Sequence, residues 1–399
     1  MEINPLVVVI GPQASGKSIL AKLTYYFTEF TNEGLWRSLR EGVNLKSFEK
    51  KQKDVFVSMF PKYAWINSEF EIEYSYDDIL IKIQNKKSRK RIVFSFDFSD
   101  RLENLYTTIH DEWRDELEKL KKETSDTKEA PFIKKAESFK NLINQHNTES
   151  AFNLSNAVFI PAGRSFFSII KENVFSFLSE NVEIDYFLKE FGKAFELAKN
   201  VYPSESRGSS NKTIKRIEQY FREIVCGQYK HLKDGDWIEN ETSKVRLINS
   251  SSGQQESLPM LLVLFSFSNI KFYFTNKNLF FIEEPEAHLY PLAQKKIIEL
   301  IGFLFNNEKN KNSFFITTHS PYVLTCLNNL ILSNKIRTEN NEFETSIPFD
   351  MVSAYALENG VLRTIKDDEI IDATFIDNIS NIIEKEYDNI LGKIYEGAH

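Results

Sequence analysis

The sequence predicts an α/β fold built around a phosphate-binding loop, and three apolar runs predict it. LVVVI at residues 6–10 feeds directly into GPQASGKS at 11–18. LFFIEE at 279–284 ends in paired acids, and SFFIT at 313–317 leads into THSP. Short apolar runs bounded by turn residues read as buried strands. Each of these empties into side chains that can carry chemistry.

GPQASGKS fits the P-loop pattern in full. Gly11 and Gly16 strip side chains from the turn so that backbone N–H groups can close on a phosphate, and Lys17 can reach the β and γ oxygens. Ser18 would hold Mg²⁺ in the first turn of a helix beginning near Gly16, where the helix dipole also favours an anion. The expected nucleotide contacts are therefore Gly11, Pro12, Gln13, Ala14, Ser15, Gly16, Lys17, Ser18 and Ile19. A tight strand-to-helix turn with an incidental lysine is the bland alternative.

At 399 residues, 42% hydrophobic and with 34 Phe, the chain can bury a sizeable core. A net charge of −7 argues against a surface dominated by nucleic-acid binding, and leaves room for a local basic patch. The two cysteines, Cys226 and Cys326, lack zinc-type spacing and fit a reducing compartment, where both are expected as buried thiols. LVVVI is too short for a signal peptide and LPMLLVLFSF at 258–267 too short for a span, so a soluble, cytoplasmic protein with no membrane partner is expected.

Four segments follow from the patterning. Residues 1–100 read as strand, P-loop and helix, followed from Asp54 to Phe98 by an antiparallel meander in which FEIEYSY, ILIKI and RIVFSFDF alternate with period two. The basic run KKSRKR at 86–91 reads as a solvated hairpin turn, with nucleic-acid or partner contact as the minority reading. Residues 101–150, rich in Glu, Lys and Leu and interrupted by Pro131, read as two helices forming an arm. Residues 151–250 begin with the strand AVFIP and then AGRSFFSII, where Ser165 is a helix cap and Arg164 either touches nucleotide or a partner, or forms an ion pair near the helix start. A helix over about 213–224 and strands joined by KDGD complete that segment. Residues 251–399 carry the remaining motifs, then VSAYALENG as a hairpin, Asp367, Asp368 and Glu369 as a solvated turn, and DATFIDNISNIIEKEYDNILGKI as a closing helix with a core face.

In LFFIEE, the arrangement is that of a Walker B strand: Glu283 would act on Mg²⁺ through a water, and Glu284 would orient and deprotonate an attacking water. His319 stands at the tip of a buried strand, just before a helix opened by Ser320 as cap and Pro321 at its first position, where a γ-phosphate sensor would be needed. SSGQQE at 251–256 opens the apolar helix that follows, a second anion-favouring helix start in a chain that already has a P-loop. Two such loops make sense if the second faces the nucleotide of another subunit.

The order P-loop, SSGQQ, FIEEPEAHLYP, THSP resembles the ABC-type ATPases in their SMC-like and OLD-like branch, over nearly the whole chain. With VFIPAGRSFF upstream and VSAYALENG downstream, it looks most like the AAA-type ATPases of the prokaryotic OLD, Septu, retron and PARIS defence systems. The resemblance implies a P-loop NTPase with an ABC-type head, an antiparallel β lobe and a helical arm. ATP and Mg²⁺ would be its cofactors. SSGQQ takes the place of the signature, so Ser252, Gly253 and Gln255 would contact the γ-phosphate of a facing copy. EAHLYP resembles the D-loop and His319 the H-loop, while the Q-loop glutamine is expected between Asp54 and Phe98. Lys17, Glu284 and His319 would carry catalysis. Gln254 departs from the usual second glycine.

The resemblance also implies a homodimer or higher homo-oligomer through the heads, a separate effector such as a nuclease or other toxin, and DNA or a phage protein as trigger. OLD nucleases carry a Toprim domain after the head, whereas the stretch after His319 shows neither Toprim nor HNH signature. The alternatives are a DNA-repair or chromosome-maintenance ATPase of the RecF or SMC kind, and a largely non-hydrolysing scaffold whose assembly nucleotide fixes.

Overall fold

The computed structural model describes residues 1–88, 91–123, 131–146, 155–170, 184–206, 211–269, 277–307, 311–336, 344–372 and 384–391. From the N-terminus the elements are β1 (Leu6–Ile10), α1 (Lys17–Glu29), α2 (Leu35–Arg40), α3 (Leu45–Met59), β2 (Phe70–Tyr76), β3 (Ile79–Ser88), β4 (Arg91–Phe98), α4 (Asp100–Glu123) and α5 (Pro131–Gln145). There follow β5 (Asn156–Ile160), α6 (Phe166–Ile170), α7 (Tyr186–Ser206), α8 (Lys212–Val225), β6 (Gln228–Leu232), β7 (Gly235–Glu239), β8 (Lys244–Arg246) and α9 (Ser252–Asn269). The chain continues through β9 (Lys277–Glu283), α10 (Pro291–Phe305), β10 (Lys311–Thr318), α11 (Pro321–Lys335), β11 (Val352–Glu358) and β12 (Val361–Thr364). The chain divides into two units, one of residues 1–21, 158–270 and 278–399, the other of 22–157 with 271–277.

The first unit is built on a six-stranded sheet of order β12-β11-β1-β10-β9-β5. β1 runs parallel to both neighbours, and all five of its residues are buried, which is why LVVVI shows no alternation. Register decides where the loops emerge. Ile10 pairs with Thr318 on one side and Ala356 on the other, so the P-loop and His319 leave the sheet at the same height, beside Leu357 of β11. Glu284 N donates to Thr317 O at 2.9 Å, which brings the end of β9 to that edge as well. Sites form beyond the carboxyl ends of parallel strands for this reason.

α9 is apolar on every side, and from Glu256 to Ser268 every residue is buried, as such a helix must be. β11 and β12 form the expected hairpin, turned by Asn359 and Gly360, both left-handed at φ 49° and 75°. Asp367 and Glu369 lie exposed on either side of a tight turn at Asp368. The expected closing helix falls partly outside the described residues. Its described part, 384–391, is helical but turns Tyr387 and Ile390 to solvent, so a core face is not found there.

The second unit has its own aromatic core. β2, β3 and β4 form the antiparallel meander, in which Phe94 and Phe96 meet Phe56 of α3. The meander starts at Phe70, because residues 54–59, read as alternating, belong to α3. Asn44 caps that helix by accepting from Ser47 N, and its buried positions Phe48, Gln52, Phe56 and Met59 follow a helical repeat. Most of KKSRKR lies within strands, and Lys86 and Lys82 pair with Glu71 across the sheet. α4 and α5 are two helices, the second opened by Pro131, and they meet through Trp113 against Phe139 at 4.9 Å.

Candidate active site

The P-loop turns through left-handed backbone at Ala14 and Gly16, φ 59° and 102°, a conformation from which successive N–H groups converge on an anion. Gly11 has no room for a side chain, since a Cβ there would stand 2.2 Å from Leu357 O, a consequence of the β1–β11 register. Pro12, Gln13, Ala14, Ser18 and Ile19 face solvent, while Lys17 is buried. The Lys17 ammonium donates to Gly11 O at 2.9 Å and Pro12 O at 2.8 Å, with Ser15 Oγ at 3.4 Å. Burial pushes its pKa down, and the nearby carboxylates of Glu284 and Glu286 oppose that shift.

His319 lies between the lysine and the acid. Its Nδ1 is 3.4 Å from Lys17 Nζ, and its Nε2 is 3.1 Å from Glu284 Oε1. The Nε2 contact suits a proton on that nitrogen donating to the carboxylate, while Nδ1 stands at the long edge of hydrogen-bond distance from the ammonium. Ser320 caps α11 by accepting from Tyr322 N, with Pro321 at the first helical position as expected.

Glu283 and Glu284 lie in different surroundings. Glu284 is partly exposed and left-handed at φ 44°. Glu283 is buried. Its Oε2 accepts from Ala162 N at 3.2 Å and its Oε1 has no partner among the described residues. An orphaned buried carboxylate oxygen is the kind of group that an ion or an ordered water completes. Carboxylate and hydroxyl oxygens such as those of Glu283 and Ser18 are the hard ligands that Mg²⁺ prefers, so the donor types fit the cation.

Two acids in the site escaped the sequence reading. Glu286 Oε1 accepts from Thr318 Oγ1 at 2.7 Å and from His319 N at 2.8 Å, and its Oε2 is buried without a partner among the described residues. Glu256, one residue beyond SSGQQ, is buried against Arg164. Arg164 itself takes the ion-pair alternative: it is wholly buried, and its guanidinium donates to the carbonyls of Pro161, Glu256, Glu283 and Glu284. Ser165 differs from its expected role, since its hydroxyl donates to Glu256 Oε1 at 2.7 Å.

The start of α9 is a capping box. Ser251 Oγ accepts from Gln254 N at 3.4 Å while Gln254 Oε1 accepts from Ser251 N at 3.1 Å. The Gln254 amide also donates to Val225 O at 2.6 Å, so this side chain is held on both sides within its own chain. Gly253 is pressed against the turn after Glu286, where a Cβ would stand 2.8 Å from His288 O. Ser252 is exposed, whereas the Gln255 amide donates to Ile248 O and Ser250 O within its own chain. Gln84, the glutamine of the stretch expected to hold the Q-loop, donates to Glu71.

Of the cysteines, Cys326 is half-buried with its thiol pKa raised by burial, but Cys226 is exposed. It ends α8 in a left-handed conformation, so the expectation of a buried thiol fails there. Among the described residues no helix is long and apolar enough to cross a membrane.

No curated protein matches the chain. Residues 6–325 match the family model described as "AAA domain, putative AbiEii toxin, Type IV TA system". That span runs from the first residue of β1 into α11 and so takes in the P-loop, the paired acids and His319. The chain therefore belongs to this AAA family and is a nucleotide-binding ATPase of a toxin–antitoxin and defence setting.

Proposed function

We propose that this chain hydrolyses ATP at composite sites between two copies of its head, and acts as the sensor or scaffold subunit that controls a separate toxic effector. The observation that supports the hydrolytic reading is the line Lys17–His319–Glu284, with contacts of 3.4 Å and 3.1 Å, in which the three would serve as P-loop lysine, H-loop histidine and Walker B acid. Lys17 would exchange the carbonyls of Gly11 and Pro12 for the β- and γ-phosphate oxygens. Glu284 would take a proton from the attacking water as its oxygen bonds to the γ-phosphorus and the bond to the β-bridging oxygen breaks, releasing ADP. His319 holds that carboxylate in place. Ser18 and Glu283 would hold Mg²⁺, which when bound would neutralise and orient the phosphate oxygens.

The composite site rests on a surplus: one chain supplies one P-loop and a second helix N-terminus at Ser252 and Gly253, and reciprocal pairing of two copies would use both. Large apolar side chains stand exposed around the same loops, with Tyr290 at 79%, Leu292 at 61%, Ile19 at 58% and Tyr322 at 52%, as a surface awaiting a second copy would have them. Since the Gln255 amide is held within its own chain, Ser252 and the N–H groups beside it are the groups left to meet a phosphate in trans. Lys17→Ala and Ser252→Arg chains, each inactive alone, should therefore regain part of their ATPase activity when mixed, because heterodimers contain one intact site. Confirmed subunit exchange with no return of activity would contradict the composite site.

The effector reading follows the resemblance to OLD, Septu, retron and PARIS ATPases. On it, the purified chain leaves DNA and RNA intact in Mg²⁺ or Mn²⁺. Nuclease activity that tracks with this polypeptide through stringent purification would overturn it. DNA or a phage protein would serve as trigger, read out as altered ATP turnover.

A further inference from the structure

Arg164 is 0% exposed, and nothing in the hydrolytic scheme above uses it. Its NH1 donates to Glu283 O at 2.7 Å and Pro161 O at 2.9 Å, its NH2 to Glu284 O at 3.0 Å, and its Nε to Glu256 O at 3.0 Å. Glu256, 3% exposed, answers from the other side. Its Oε2 accepts from Arg164 N at 2.9 Å and lies 3.5 Å from Arg164 Nε, and its Oε1 accepts from Ser165 N and Ser165 Oγ. One planar guanidinium thus bonds the backbone of both Walker B acids and the early part of the helix that presents Ser252 and Gly253.

The backbone of Glu284 has reason to need such a hold. At φ 44° it occupies a region that a non-glycine residue keeps only where its surroundings enforce it. Its N–H is fixed by Thr317 O, and its carbonyl by Arg164. We propose that Arg164 is a positioning residue that couples the start of α9 to the Glu284 carboxylate, so that a shift of the Ser252–Gly253 turn on meeting a second copy moves or steadies the general base. The fork geometry suits this task. Its donors are rigidly spaced, and a lysine could not span the four carbonyls. The coupling rests on the proposed roles of Glu284 and of the α9 N-terminus, and it extends them to a control of turnover.

The test uses the full chain with Arg164→Lys and Glu256→Gln, each alone and combined with Glu284→Gln, in steady-state and single-turnover ATPase assays. Glu256→Gln keeps the side-chain volume and its backbone carbonyl, and so serves if Arg164→Lys does not fold. Coupling through Glu284 lowers kcat about 10-fold or more while KM for ATP stays within about 3-fold, and it adds nothing to the loss already caused by Glu284→Gln. An unchanged kcat overturns the proposal, as does an equal fractional loss in both backgrounds or a loss that tracks ATP affinity. A Glu284→Gln chain with normal turnover would instead remove the general base on which the coupling rests, and the coupling with it.

Discussion

The imidazole of His319 and the carboxylate of Glu284 meet at 3.1 Å, Nε2 to Oε1. The same ring receives Lys17 on its other nitrogen, so it fixes the acid relative to the phosphate-binding lysine. His319→Ala should therefore lower kcat by about 10–100-fold with a smaller change in KM, since the acid remains but is no longer oriented. His319→Gln, whose amide can still donate to Glu284, should recover part of that loss. Equal kcat for wild type and His319→Ala would remove His319 from the site.

Gly11 is the P-loop position that the sheet itself constrains. A Cβ at 2.2 Å from Leu357 O requires β1 and β11 to part. Gly11→Ala should cost about 1–3 kcal/mol of stability, the usual range for overpacking. Urea unfolding of the nucleotide-free chain measures this directly. A midpoint equal to that of wild type would contradict the β1–β11 register.

Lys17 gives a pH test. Its pKa is lowered, burial being the main cause, so the folded chain binds fewer protons than the unfolded chain between the lowered value and 10.5. Stability contributed at this position is therefore least at neutral pH, and it rises with pH through that window. Lys17→Met should melt no lower than wild type near neutral pH without nucleotide, and wild type should gain on it as pH rises towards about 10. Wild type losing ground to Lys17→Met over that range would contradict the burial cost.

Glu283 should reveal itself through the cation. With its Oε1 orphaned and buried, Glu283→Gln leaves the fold intact but weakens Mg²⁺ binding. The thermal stabilisation by ATP should vanish in EDTA for the wild type, and Glu283→Gln should need several-fold more Mg²⁺ to show it. An identical Mg²⁺ dependence in both chains would assign the cation elsewhere.

The elements that position the site were legible because their signals are local. Five buried residues in a row, a P-loop, and Ser320–Pro321 at a helix start each announce themselves within a few positions. Helix α3 could also have been found, since Asn44 and the spacing of Phe48, Gln52, Phe56 and Met59 carry its signal. It was hidden by the alternation just downstream. What was not legible depends on partners far along the chain. Glu256 and Arg164 are 92 positions apart, and Glu286 shows its purpose only where Thr318 and His319 fold over it. Gln254 departs from the resembled motif in sequence, and its capping bonds with Ser251 depend on the folded start of α9. Cys226 looked like a core residue because cysteine usually is one, and only the left-handed end of α8 places it outside.

ATP binding and ATP turnover, measured side by side for Lys17→Ala and Glu284→Gln, test the central claim most directly. Lys17→Ala should lose affinity for ATP, and Glu284→Gln should keep ATP bound while turnover falls by about 10² or more. Glu284→Gln turning over ATP at the wild-type rate would contradict it.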